Sequence, residues 1–186
     1  MEWKNLNKAL AKYGSKTTQL AKLELGTYKN RPVRRTTWNG MTPESSKVSF
    51  RKRRAVASGK LQKSIKYEVK TPAEGAPFVE FSFEDYGKFV EEGRKAGKGV
   101  PPAALRKWIT QDRKMRYFNR KTNQFERMTE SKLNGMMFTI NRSIKAFGIT
   151  PNPFMKPSER KAMQIHYQAI VDAMDKDILD NLTDED

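Results

Sequence analysis

Apolar positions in the first part of the chain recur with the period of a helix. They lie three or four residues apart, at Trp3, Leu6, Leu10, Tyr13, Thr17 and Leu20. Lysines occupy positions between them, a pattern typical of an amphipathic helix with one face in solvent. We therefore predict a helix over residues 3–25. Residues 27–47 lose this period and contain prolines and an Asn-Gly pair, so we predict an irregular arm there.

Strand patterns are concentrated in the middle of the chain. Apolar and polar residues alternate over residues 65–70 and again over residues 78–83, with a Pro-rich turn between them. Such alternation indicates half-buried strands, and the short separation predicts that the two pair as a hairpin. Residues 60–65, just before them, have the spacing of a short helical turn. A smaller hairpin is predicted over residues 117–128.

Helical spacing dominates the rest of the sequence. A helix is predicted to begin at the Pro101-Pro102 pair, because proline is tolerated in the first turn. A second is predicted over residues 130–147, with Gly148 at its end. A last helix is expected to begin at Ser158, which would cap it after a proline-rich connector. This helix is expected to bury an apolar row formed by Met163, Tyr167, Ile170, Met174, Ile178 and Leu182.

The order of these elements indicates the fold class. Strands cluster while helices flank them, which is the order of an α+β protein and not of a βαβ series. We predict a small antiparallel sheet packed by helices, with a long N-terminal helix and an extended arm. Residues 1–50 would form this helix and the basic arm, and residues 51–186 the α+β domain. No run of about 18 apolar residues is present, so we expect no membrane association.

The composition excludes several kinds of chemistry. The 186 residues contain no cysteine and one histidine, so disulfides, thiolate chemistry, iron–sulfur clusters and most zinc sites are ruled out. His166 is expected at the edge of an apolar face, as a satisfied boundary residue. Without histidine or cysteine groups that could converge, a hydrolase or a metalloenzyme of the common types is disfavoured.

The acidic residues do not suggest an active site either. Glu91 and Glu92 would point about 100° apart on a helix, so we interpret them as a solvated helix surface. Asp172 and Asp175 are three residues apart and could share a metal, but together with Asp177 we interpret them as an exposed polar face. We therefore predict no catalytic residue, no cofactor and no metal, and thus a protein that is not an enzyme.

The net charge of +16 is unevenly distributed. Residues 1–70 carry 18 Lys and Arg against 4 acidic residues, whereas the last ten residues are acidic. The candidates for contact with DNA or with an acidic partner are Lys47, Arg51, Lys52, Arg53, Arg54 and Lys60. Several such cations could neutralise phosphates and release counterions, but aromatic residues are not interleaved with them as stacking platforms for single strands would be. A solvated loop, a DNA contact and an acidic protein partner all remain open.

Three stretches in a fixed order carry a family resemblance. They are SGKLQKSI at residues 58–65, YGKFVEEG at residues 86–93 and PNPFMKPS at residues 151–158. The set resembles the tail-completion and head–tail joining proteins of long-tailed bacteriophages. In that family an S/T-G-x-L-x-x-S-I turn leads into a strand, a Y-x-x-Y/F-V-E-x-G turn follows the next strand, and a P-x-P-F-[LM]-x-P-[AS] segment opens the last helix. Residues 101–109 and 138–149 also resemble an insertion that is common there.

The resemblance implies a structural virion protein of the phage neck. It implies a ring of identical subunits that joins the head connector to the tail tube, as a tail-completion, terminator or head–tail joining protein. Partners would be connector or portal-side proteins, tail-tube proteins, and genomic DNA in the lumen. The location would be the virion neck, after assembly in the host cytoplasm.

Two pairs of residues are candidates for contacts between subunits. Trp3 and Leu10 lie on the N-terminal helix, which could reach a neighbour. Phe154 and Met155 lie on the proline-rich connector, which would present them as apolar anchors either to a neighbour or to the core of the same subunit. The alternative to a neck protein is a basic nucleic-acid-binding protein.

Overall fold

The computed structural model describes residues 2–40, 42–53, 59–112, 114–119 and 121–183. The architecture is α+β, as predicted, with antiparallel two-stranded sheets and a long N-terminal helix. In chain order the elements are α1 (Lys4–Gly26), β1 (Lys29–Asn39), β2 (Thr42–Arg53), α2 (Lys60–Ser64), β3 (Lys66–Lys70), β4 (Phe78–Ser82), α3 (Gly87–Glu92), α4 (Pro102–Lys107, continued by a π-helical turn over Trp108–Asp112), β5 (Tyr117–Asn119), β6 (Gln124–Glu126), α5 (Glu130–Phe147) and α6 (Met155–Thr183). No helix of the described residues is long and apolar enough to cross a bilayer.

The chain forms two compact units. Unit 1 consists of residues 1–27, 54–91 and 153–186, and unit 2 consists of residues 28–53 and 92–152. The first and last helices of the chain therefore belong to the same unit. Residue 50, the predicted domain boundary, lies inside β2.

Unit 1 is built on the packing of α1 along α6, with the β3–β4 hairpin against α1. Its apolar core is formed by Ala21, Leu25, Leu61, Ile65, Phe154 and Met155. Phe83 adds an edge-on ring contact to Phe154, with centroids 5.5 Å apart. The predicted β3–β4 hairpin is confirmed, with Lys66 opposite Ser82 and Lys70 opposite Phe78. The short turn α2 delivers Leu61 to the core just before β3 begins.

The last helix begins earlier than predicted and is rotated about its axis. It starts at Met155, and Ser158, the predicted cap, is fully buried within it, where its hydroxyl donates to the carbonyl of Phe154. The buried face of α6 carries small and polar side chains, including Ala162 and Asp177. These allow close approach to α1, which also presents small side chains at this contact.

The apolar row predicted to be buried on α6 therefore faces outward in large part. Tyr167 is 60% exposed, and Met163, Met174 and Leu182 are exposed as well. Periodicity correctly indicated a helix in this segment, but it did not indicate which face meets α1.

Unit 2 has its own core around α4 and α5. Leu105, Ile109 and Leu133 are its buried residues. Helix α5 has the predicted bounds, and Gly148 ends it with a φ of +70°. The predicted hairpin at residues 117–128 is present as β5 and β6.

The segment predicted as an irregular arm is extended, but it is a regular hairpin. Strands β1 and β2 pair antiparallel, and Gly40, which follows the last pair of Asn39 with Thr42, lies in the turn with a φ of +56°. Pro32 and Pro43 argued against strands, but a two-stranded ladder leaves one edge of each strand unpaired and so tolerates proline. A glycine with positive φ between two extended runs is typical of a tight hairpin turn.

Candidate nucleic-acid interface

The β1–β2 hairpin concentrates much of the positive charge of the chain. From Lys29 to Arg53, eight residues are Lys or Arg and one, Glu44, is acidic. The strands pair along their length, from Lys29 opposite Arg53 to Asn39 opposite Thr42, with one register shift near the turn.

The register places six of the basic residues on one face. In an antiparallel ladder, directly opposite residues share a face, and so do positions two apart along a strand. The three pairs on this face are Lys29–Arg53, Arg31–Arg51 and Arg35–Lys47. We call these six positions the basic face. Each pair places two cationic residues directly opposite one another, and like charges in such positions repel each other.

The opposite face of the hairpin has a different character. Its pairs are Pro32–Phe50, Arg34–Val48 and Asn30–Lys52. Phe50 is 69% exposed, and Val48 is exposed too. The aromatic residue of β2 therefore lies on the side away from the basic face.

The hairpin is anchored near its turn to α5 within unit 2. The guanidinium of Arg142 lies 4.0 Å from the ring centroid of Trp38, and its Nη1 donates a 2.9 Å hydrogen bond to the carbonyl of Gly40. The ring of Phe147 packs against Trp38 with centroids 6.0 Å apart. Gly40 has a φ of +56°, which glycine adopts without strain. These contacts hold the turn on a helix, and the basic face extends from it.

The six residues predicted to contact DNA or an acidic partner do not all lie on one face of the hairpin. Lys47, Arg51 and Arg53 lie at positions of the basic face, whereas Lys52 lies at a position of the opposite face. Lys47, Arg51 and Lys52 are exposed. Arg54 lies outside the described residues.

Sequence reasoning included one residue that belongs elsewhere and missed three that belong to the face. Lys60 begins α2 in unit 1, where its Nζ lies 3.4 Å from a carboxylate oxygen of Glu84. Lys29, Arg31 and Arg35 were missed because their segment was interpreted as irregular. Their spacing of two and four residues is the signal that could have found them, since it repeats the period of a strand.

The residues predicted to form subunit contacts also have different environments. Trp3 and Leu10 are half-buried on α1. Phe154 and Met155 lie in the core of unit 1, and Phe154 has no exposed surface. Their placement at a subunit interface is therefore corrected, because both side chains are enclosed by their own unit and present no surface to a neighbour.

Glu91 is a buried helix cap and not part of a solvated surface. Its carboxylate accepts hydrogen bonds from the backbone amides of Phe154, Met155 and Lys156, at 2.6, 2.9 and 3.1 Å. These amides lie at the start of α6, where helix N–H groups lack partners within the helix. Only Glu92, the neighbour on α3, is exposed as predicted.

Asp177 performs the same function for α1. Its carboxylate accepts hydrogen bonds from the amide of Leu6 at 2.8 Å, and from the amide and side-chain Nδ2 of Asn5 at 3.0 and 2.7 Å. Burial raises the pKa of Asp177, but the hydrogen bonds from Leu6 and Asn5 outweigh that effect and hold the pKa below its ordinary value. The prediction of an exposed Asp177 was wrong, because its partners lie at the other end of the sequence.

The other candidates for chemistry do not converge. Asp172 and Asp175 are exposed on α6, and Asp172 accepts a hydrogen bond from Gln168. His166 is half-buried on the same helix. Within the described part of the chain, no group of three or more His, Asp or Glu residues could hold a metal ion.

Unit 2 contains a groove of about 530 Å³. It lies along α5 and is lined mainly by apolar groups such as Leu105, Met137 and Phe138, with Asn141 and Arg142 at its polar side. Its described lining contains no carboxylate and no histidine.

Comparison with known proteins identifies no relative. No protein-family model matches the chain, and neither a curated protein nor a solved structure matches it. Function is therefore argued from the motifs and from the geometry of the two units.

Proposed function

We propose that the protein is a structural component of the neck of a long-tailed bacteriophage. Identical subunits would form a ring that joins the head connector to the tail tube, and the subunit would perform no reaction. The observation that carries this proposal is the meeting of the three family-like motifs in the core of unit 1.

Each motif supplies side chains to that core. The first supplies Leu61 and Ile65, the second supplies Val90, and the third supplies Phe154 and Met155. Together they form a single apolar cluster within unit 1, which supports a shared fold for the three motifs.

The second and third motifs are also joined by hydrogen bonds. Glu91 of the second motif binds the amides of Phe154 and Met155 in the third. A carboxylate at this position stabilises the start of α6 through both the unpaired N–H groups and the helix dipole. Glu91 and Phe154, which belong to different motifs, are therefore joined directly by a hydrogen bond at the start of α6.

The outward apolar row of α6 supports assembly with other protein subunits. Tyr167, Met163, Met174 and Leu182 are exposed along the helix. Exposed apolar residues that line one helix face are typical of protein–protein contacts. A ring needs a heterologous contact between two different surfaces of the subunit, and this row is a candidate for one of them.

The location can be tested directly. Antibodies against the purified protein would be applied to phage particles released from cells that carry its gene, and the particles would be imaged by electron microscopy. We expect label at the junction of head and tail. Label on the capsid shell or the tail tip, or only in the unassembled fraction, would contradict the proposal.

The contribution of the apolar row can be tested in the same system. Tyr167→Asp should reduce incorporation of the protein into particles, because it places a charge in an apolar contact. Gln164→Asp is the matched control, since Gln164 is exposed on the same helix. Equal incorporation of the two variants would remove α6 from the assembly contact.

A further inference from the structure

We propose that the basic face of the β1–β2 hairpin binds the phosphate backbone of double-stranded DNA, independently of sequence. The proposal does not depend on the neck function, because it rests on the hairpin alone. It differs from the contact set considered from the sequence, since it adds Lys29, Arg31 and Arg35 and leaves out Lys52, Lys60 and Arg54, the last of which lies outside the described residues.

The charge of the basic face is complementary to that of DNA. The face consists of three directly opposed pairs of cations, interrupted by Val33 opposite Ser49. Opposed like charges are unfavourable in a hairpin, and a polyanion laid along the face turns this repulsion into attraction. Duplex DNA carries the required density, with one negative charge per about 1.7 Å of helix axis.

The distances between cationic positions along the strands also fit DNA. Positions two apart along a strand are separated by about 6.8 Å, which is twice the rise of about 3.4 Å per nucleotide along one DNA strand. From Lys29 to Arg35, and from Arg53 back to Lys47, the two rows each extend over about 20 Å. Along each strand the cationic positions are therefore about 6.8 Å and then about 13.6 Å apart, and both intervals are multiples of the rise per nucleotide.

The residues on and around the basic face favour a DNA duplex over a single strand or a protein partner. Single strands are bound by aromatic side chains that stack on bases, but Phe50 lies on the opposite face and Trp38 packs against Arg142. A protein partner usually meets an apolar centre surrounded by a polar rim. The basic face has one apolar position, Val33, and so lacks such a centre.

The anchoring of the hairpin supports the same conclusion. Trp38, Arg142 and Gly40 hold the turn end of the hairpin on α5, and the two paired strands carry the cationic positions out from it. A paired hairpin loses less backbone freedom on binding than an unstructured tail would.

The test is a binding titration of the full-length protein with a fluorescent duplex of about 20 base pairs, at salt concentrations between about 50 and 200 mM. Four to six phosphate contacts predict a slope of log K against log salt of about −3.6 to −5.4, and a loss of affinity of about 10²- to 10³-fold over this range. Two duplexes of unrelated sequence should bind equally.

The decisive variant is Arg31→Gln/Lys47→Gln/Arg51→Gln. Its slope should be less steep by about 2.7, because each lost phosphate contact removes about 0.9. The control is Lys8→Gln/Lys12→Gln/Lys52→Gln, which removes the same charge at exposed positions outside the basic face and should keep the slope within about one contact of the parent. Circular dichroism and a thermal unfolding curve for each variant verify that both are folded.

Three results would overturn the proposal. The first is equal loss of slope in the two triple variants, which would show that net charge and not the face is responsible. The second is tighter binding of a single strand of the same length than of the duplex. The third is that a synthetic peptide with the sequence of residues 177–186 binds the protein more tightly than the duplex does. This result would identify the face as a contact between copies of the chain.

Discussion

The buried carboxylate of Asp177 accepts a 2.8 Å hydrogen bond from the backbone amide of Leu6, although the two residues are 171 positions apart in the sequence. This bond joins the end of α6 to the start of α1. Glu91 makes the equivalent contact at the start of α6. The two longest described helices, α1 and α6, therefore each begin at a carboxylate supplied by another helix of unit 1. These two caps link α1, α3 and α6 by hydrogen bonds.

Asp177→Asn should destabilise the protein. The substitution removes the charge and replaces one acceptor oxygen with a donor that faces the amides of Asn5 and Leu6. Hydrogen bonds to a charged group contribute about 1.5–3 kcal/mol, and we expect a loss of that order in the free energy of unfolding, measured by urea denaturation. Asp175→Asn, at an exposed position of the same helix, should change it by no more than about 0.5 kcal/mol.

The same contact predicts a dependence on pH. Because the pKa of Asp177 is lower in the folded protein than in the unfolded chain, its contribution is present above the unfolded pKa and is lost as the pH falls through the folded pKa. The difference in stability between the parent and Asp177→Asn should therefore be constant near neutral pH and shrink below about pH 4. A difference that grew on acidification would contradict the assignment.

Glu159 must be considered in this experiment, because it changes stability in the opposite direction. Burial and the charge of Glu91 raise the pKa of Glu159, against a smaller lowering by Lys156. A raised folded pKa gives stability that is present below the unfolded pKa and lost as the pH rises through the folded value. Comparing Asp177→Asn with the parent at each pH cancels this contribution, since both proteins retain Glu159.

Glu91 and Glu92 provide a matched pair of substitutions. Glu91→Ala leaves three amides of α6 without their acceptor in a buried site, and we expect a loss of about 2–3 kcal/mol in the free energy of unfolding. Glu92→Ala changes an exposed neighbour and should alter it by no more than about 0.5 kcal/mol. Equal effects in chemical denaturation would show that Glu91 contributes only as a surface charge.

Gly93 and Gly135 should respond to alanine with opposite signs. Gly93 has a φ of +71°, and a Cβ there would lie 2.7 Å from the backbone nitrogen of Pro151, so Gly93→Ala should destabilise the protein by more than about 1 kcal/mol. Gly135 is exposed within α5, and a Cβ there meets nothing within 4 Å. Gly135→Ala should stabilise by about 0.5–1 kcal/mol. Thermal unfolding of both variants is the measurement.

Local signals were sufficient to predict most of the elements. Helix α5 has the predicted bounds because its apolar period is regular and Gly148 ends it. The β1–β2 hairpin was missed because Pro32, Pro43 and the Asn-Gly pair were all interpreted as signals of an irregular segment. The basic face was therefore predicted only in part, from the run of charges in β2.

Contacts between distant parts of the chain could not be predicted in the same way. Glu91 caps a helix that begins 64 residues later, at Met155, and helix periodicity does not distinguish it from the exposed Glu92, although the family-like motif has a fixed glutamate only at position 91. The rotation of α6 is a related case. An apolar row on a helix looks the same whether it faces the core or another subunit, and here the bonds of Asp177 to α1 determine which face is buried.

The opposed cations of the hairpin predict that its stability depends on salt. Arg51 lies opposite Arg31, whereas Lys52 lies opposite the neutral Asn30. Arg51→Gln should therefore stabilise the hairpin at low salt by a few tenths of a kcal/mol, up to about 1 kcal/mol. The gain should fade as salt screens the repulsion, since the Debye length shortens from about 10 Å at 0.1 M to about 3 Å at 1 M. Lys52→Gln is the control on the same strand and should show little change. Hydrogen exchange of the β1 and β2 amides measures both, and equal effects at every salt concentration would mean that the opposed cations do not repel each other in the folded protein.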